Sequence, residues 1–145
     1  MKINIKNYIV FIGLMLLLAG CEQKAERTFY ETNITNEAIP CLKMQIQPPD
    51  PMMSQILESL YPFSKECPYL LTLSYKSNIV CNSPYNVQSK ALGKMPSSYI
   101  KLELRKGLHL LYSYYKDLDH TPKQDDIVQG FKTLKDDLKG VVIKR

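Results

Sequence analysis

The chain has 145 residues, enough for one small domain once a targeting segment is set aside. Hydrophobic residues make up 45%, which excludes a chain that stays unfolded for want of a core. The net charge of +5 comes without a Lys/Arg run and gives no basis for a nucleic-acid partner.

Met1–Gly20 has the anatomy of an export signal. Lys2 and Lys6 are followed by an uncharged apolar run from Tyr8 to Ala19, and small Ala19 and Gly20 precede Cys21. The run is short of the about 20 apolar residues that cross a bilayer. An uncleaved N-terminal anchor is the less favoured alternative. Leu18-Ala19-Gly20-Cys21 resembles the lipobox of bacterial lipoproteins. That resemblance, confined to the first 21 residues, implies cleavage before Cys21 and a diacylglycerol thioether on its sulfur. It also implies further acylation of the new amino group by a palmitate-like chain. Glu22, where an Asp would mark inner-membrane retention, implies the outer membrane with the domain on the periplasmic face. Cleavage would remove Lys2 and Lys6 from 19 basic residues and none of the 14 acidic ones, leaving about +3.

With Cys21 assigned to lipid, Cys41, Cys67 and Cys81 remain. An exported chain folds where disulfides persist. Cys67 with Cys81 is the favoured pair because they flank one apolar segment, leaving Cys41 over. Cys41 with either of the others stays open, since the first strand of the domain could lie beside the second. No C-x-x-C and no nearby His points to redox or zinc chemistry.

Glu22–Ile39 is polar with scattered apolar residues and reads as a flexible tether, so the expected division is signal 1–20, lipidated tether 21–39 and domain 40–145. Leu42, Met44 and Ile46 alternate with polar residues as in a half-buried strand, ended by Pro48-Pro49. Asp50 as N-cap and Pro51 at the first helical position open a helix whose apolar face is Met53, Ile56, Leu57 and Leu60; Pro62 ends it. Tyr69, Leu71, Leu73, Tyr75, Ile79 and Cys81 share one parity, a long strand or one kinked at Ser77-Asn78. A turn cluster at Asn82–Asn86 and a loop from Val87 to Pro96 follow.

Ile100, Leu102 and Leu104 alternate with Lys101, Glu103 and Arg105. After a turn at Lys106-Gly107 the alternation resumes through Leu108, Leu110, Tyr112 and Tyr114. A single helix over Tyr99–Leu118 is the rival, disfavoured by about 1 kcal/mol for the central Gly107. Thr121 with Gln124 suggests a capping box, with Pro122 first in a helix whose stripe is Ile127, Phe131, Leu134 and Leu138 and which Lys139-Gly140 ends. Val141–Ile143 is a candidate last strand. The expected fold is α+β: a small sandwich of an antiparallel-rich sheet of about four strands, two helices on one face, in the order β-α-β-β-β-α.

No nucleophile elbow, H-E-x-x-H or phosphate loop occurs, so no catalytic residue is assigned, an enzyme is not expected, and neither is a cofactor or metal. His109 and His120 are the two histidines; Asp117, Asp119 and His120 match no metal spacing. The feature that suggests a role is the last strand. Tyr112 and Tyr114 line one face with Leu110, while Leu111 and Tyr115 line the other. A sheet covered on one side should not be apolar on both. Either another segment covers the second face or it is a Tyr-rich binding surface, extended by Tyr69, Tyr75, Tyr85 and Tyr99. The expectation is a non-catalytic accessory or binding subunit of an envelope assembly, secretion or lipopolysaccharide-transport machine, with the membrane and an envelope protein as partners. The element order is similar to that of small accessory lipoproteins of lipopolysaccharide assembly. A lipid-binding carrier and an exclusion or inhibitor lipoprotein are the alternatives.

Overall fold

The computed structural model describes residues 24–79 and 96–140. Cys21, Cys81, the turn cluster at 82–86, most of the 87–96 loop and the 141–143 strand lie outside them. The elements are β1 (Glu26–Phe29), β2 (Lys43–Gln47), α1 (Pro51–Leu60), β3 (Tyr69–Lys76), β4 (Ser98–Lys106), β5 (His109–Leu118) and α2 (Gln124–Asp137). They form an α+β fold with a five-stranded mixed sheet in the order β1-β5-β4-β3-β2. Only β2 and β3 run parallel, as the intervening α1 requires.

Local chemistry explains the elements. Asp50 caps α1 by accepting from the Met52 and Met53 amides at 2.8 and 3.4 Å. Met53, Ile56 and Leu57 are buried. In α2 the whole expected stripe, Ile127, Phe131, Leu134 and Leu138, is buried, and Gly130 lets the helix settle on Leu102 and Tyr114 of the sheet. The start of α2 differs from expectation. Lys123 is the N-cap residue and donates its N–H to Asp126 at 3.0 Å, so the closing side chain is Asp126 and Thr121 takes no part in the cap.

The hairpin forms, with Gly107 at φ +59° in its two-residue loop. Its register slips between Leu104, opposite Tyr112, and Arg105, opposite Leu110. Leu111 is the extra residue of a bulge, and the alternation breaks there. Leu111 and Tyr112 are therefore both buried in the core, while Leu108 is 94% exposed. The expected faces, Leu108-Leu110-Tyr112-Tyr114 against Leu111-Tyr115, are corrected accordingly.

The tether is corrected too. Glu26–Phe29 pairs with Tyr112–Tyr115 as the edge strand β1. Ile34 and Ile39 are fully buried. The Ile39 amide donates to the Gly140 carbonyl at 2.8 Å, and Glu37 binds the Tyr69 hydroxyl at 2.6 Å and Lys106 at 3.0 Å. Residues 25–39 thus pack with the folded part, and a strand of four exposed residues carries no alternation that would have announced it.

The disulfide joins Cys41 to Cys67, with Cα atoms 5.8 Å apart, in place of the favoured Cys67–Cys81 pair. Each of these cysteines sits two residues ahead of a strand, β2 or β3, and the parallel register of Lys43 with Leu70 brings them together.

Candidate functional site

One face of the sheet is packed under α2 and the core; the other is mostly polar and carries no helix among the described residues. The second face is built from Lys101, Glu103 and Arg105 of β4, Leu70, Thr72 and Ser74 of β3, and Leu110, Ser113, Tyr115 and Asp117 of β5. Lys101 and Arg105 both bind Glu103, from opposite sides along the strand. Burial opposes ionisation of Glu103, but the two cations outweigh it and hold its carboxyl below the usual range.

The candidate binding residues separate on these two faces. Leu111, Tyr112 and Tyr114 are buried in the core, so they offer nothing to a partner. Tyr115 alone reaches the open face, half-buried, its ring stacked on Tyr99 at 5.5 Å between centroids. Its hydroxyl donates to Asp117 at 2.7 Å; burial first, and then this carboxylate, push the phenol up to about 12. Three other tyrosines tie elements together. Tyr69, Tyr75 and Tyr112 donate to Glu37, Asp50 and Asp137 at 2.6, 2.9 and 2.7 Å, tying the sheet to the N-terminal segment and to both helices. Arg27 of β1 completes the last contact at 3.1 Å from Asp137. Phenol–carboxylate pairs far apart in sequence leave no local pattern, so nothing in the chain order pointed to them.

His109 is exposed at the hairpin turn. His120 is bracketed: Nδ1 lies 2.8 Å from Asp119 and Nε2 3.0 Å from the nearly buried Asp126. The Asp119 contact and then the Asp126 contact raise its pKa. Asp117 is turned away to Tyr115, so the Asp117-Asp119-His120 grouping is not brought together. Among the described residues no cluster of His, Cys, Asp and Glu forms a metal site.

Between sheet and helices the space is filled by Leu57, Leu71, Leu102, Tyr114, Phe131 and Leu134, all buried. An open hollow of about 500 Å³ lies elsewhere, along β1, lined by Lys24, Ala25, Glu26, Arg27 and Thr28. No described helix is long and apolar enough to cross a membrane. No known family model, curated protein or solved structure matches the chain.

Proposed function

We propose that this chain is a bacterial envelope lipoprotein, acylated on Cys21 at the periplasmic face of the outer membrane, that serves without catalysis as an accessory or binding subunit of an envelope assembly, secretion or lipopolysaccharide-transport machine. The observation that carries the export half of this reading is the Cys41–Cys67 disulfide, a bond that persists in oxidising compartments and agrees with the signal-like residues before Cys21. The binding half draws on the open sheet face. The tyrosine pair Tyr99 and Tyr115 stands there beside the Lys101–Glu103–Arg105 ladder, a mixture of ring area and charge suited to a protein partner. A lipid carrier is less favoured because the interlayer space is occupied by side chains.

The anchor is tested by mass analysis of the mature protein: a cleaved, acylated N-terminus at Cys21 is expected, and Cys21→Ser should accumulate as an unacylated precursor. Normal processing of Cys21→Ser would refute the anchor. The partner surface is tested by a photo-crosslinking side chain at Lys101 in intact envelopes. A discrete crosslink that Tyr115→Ala abolishes is expected; a crosslink unchanged by Tyr115→Ala would refute this face as the contact.

A further inference from the structure

Cys21 precedes Lys24 by three residues and the first residue of β1 by five. Five residues span at most roughly 18 Å when fully extended. A domain whose first strand starts that close to an acylated cysteine lies at the lipid surface and does not stand away from it.

Two aspects of the domain fall within that reach. One is the end of the sheet where β1 begins. The register places the last residues of β2, β3 and β5 there, followed or accompanied by the N-termini of both helices. Asp50, Asp117, Asp119, Asp125 and Asp126 gather at this end beside Lys24, Lys76, Lys116 and Lys123, with Met52, 60% exposed, as its one large exposed apolar side chain among the described residues. With charges of both signs and a single exposed apolar side chain, this end offers little to seat in the boundary between head groups and acyl chains.

The other aspect is the outer edge of β1. Phe29 is 43% and Tyr30 54% exposed. The Tyr30 amide donates to the Leu111 carbonyl at 3.0 Å, which sets this residue beside the start of β5 and the turn that carries Leu108. Of the four large hydrophobic side chains exposed among the described residues, three therefore lie on this edge and its corner. The open hollow lined by Lys24–Thr28 runs along the same strand. Aromatic rings with a polar tip favour the boundary between head groups and acyl chains. That zone is wet enough to hydrate the unpaired backbone groups of an edge strand, which the hydrocarbon is not.

We infer that the outer edge of β1, with Phe29, Tyr30 and the Leu108 turn, is a lipid-contacting surface that the acyl chains on Cys21 lay against the head-group boundary; this rests on the lipoprotein reading above. The sheet then stands on its edge, and its open face looks sideways along the membrane, free for a protein partner.

The chain contains no tryptophan, so one introduced indole reports its own surroundings. Tyr30→Trp, Leu108→Trp and Met52→Trp are each prepared as acylated protein in vesicles of phosphatidylethanolamine and phosphatidylglycerol carrying brominated acyl chains. Blue-shifted, quenched emission is expected from Tyr30→Trp and Leu108→Trp, and solvent-like, unquenched emission from Met52→Trp. Quenching greatest at Met52→Trp, or absent at Tyr30→Trp and Leu108→Trp, overturns the edge contact. Flotation with the vesicles and the mass of the N-terminus separate the two levels. A protein that carries no acyl group and does not float refutes the anchor, and the edge contact with it. One that is acylated and floats with Tyr30→Trp unquenched refutes the edge contact alone.

Discussion

The two faces of β4 are made by alternate residues of one strand and have opposite fates. Ile100, Leu102 and Leu104 are fully buried under α2 and the core; Lys101, Glu103 and Arg105 form an ion ladder in partial contact with water. The contrast continues on β5, where Tyr114 is enclosed beside Gly130 and its neighbour Tyr115 lies half-open on Tyr99. Adjacent residues of the same type thus do different work: Tyr114 fills volume, and Tyr115 presents a surface. Stability is concentrated on the covered face, whereas the open face carries groups whose interactions are screened by solvent and are individually small.

Replacing Tyr114 and Tyr115 in turn tests that division directly. Tyr114→Ala should lose about 3–5 kcal/mol, the range for deleting a large enclosed ring. Tyr115→Ala should lose less than about 1.5 kcal/mol, since it gives up one partly exposed stacking contact and one hydrogen bond. Urea unfolding followed by circular dichroism measures both; equal losses would dissolve the distinction between the faces. The covered face is also held at the β2 corner. Removing both members of the bridge, Cys41→Ser with Cys67→Ser, should lower stability by about 3–4 kcal/mol for a sequence separation of 26 residues. A peptide map of the wild-type protein should join Cys41 to Cys67, and Cys81→Ser should leave that pair intact; a wild-type map joining Cys67 to Cys81 would contradict the pairing across β2 and β3.

A smaller loss is expected where the end of α2 meets the N-terminal segment. A Cβ at Gly140 would collide with the Glu37 carbonyl oxygen. Backbone has to move to admit it, so Gly140→Ala should cost about 1–3 kcal/mol. The cost should disappear if residues 37–39 are the flexible tether that their composition suggests, which makes this substitution a test of the corrected domain boundary by the same unfolding measurement.

The elements legible in the sequence are those with many periods. α2 shows four apolar residues at helical spacing, and β4 three alternating pairs, so tertiary context had nothing to override. What escaped has a physical reason in each case. β1 has four exposed residues and exists only because β5 offers it a backbone edge. Ile34 and Ile39 bury singly, outside any repeat. The bulge at Leu111 depends on the β4–β5 register and reverses the face of residues whose spacing is unremarkable. The same shift draws Leu111 inside, where Tyr112 and Tyr114 already lie by their own alternation, so that of the four candidates only Tyr115 escapes the core. The disulfide followed from a parallel pairing across α1, and parallel partners are set by the crossover and not by neighbouring residues.

The smallest expected effect concerns the junction between the two faces, where β5 leaves the sheet and α2 begins. His120 bridges Asp119 and Asp126 there, and the Lys123 ammonium, of like charge, works weakly against its imidazolium. Its pKa is higher in the folded chain than the about 6.5 of an unperturbed imidazole. A raised folded value means that the imidazolium stabilises the fold fully below the unfolded pKa, and that this contribution is lost as pH rises through the folded one. Glu37 and Asp50 behave oppositely: hydrogen bonds from Tyr69 and Tyr75 lead in lowering their values, so their contributions are present above the unfolded carboxylate range and are lost in acid. The two windows do not overlap. Between about pH 6 and about pH 9 the wild-type unfolding midpoint should therefore fall modestly, while that of His120→Gln should stay nearly level. Amide exchange in the first turn of α2 should quicken over the same interval in the wild type, because Asp126 also holds the Lys123 amide. An unchanged pH dependence in His120→Gln would mean that the bracket contributes geometry without charge, and that Asp126 alone starts the helix.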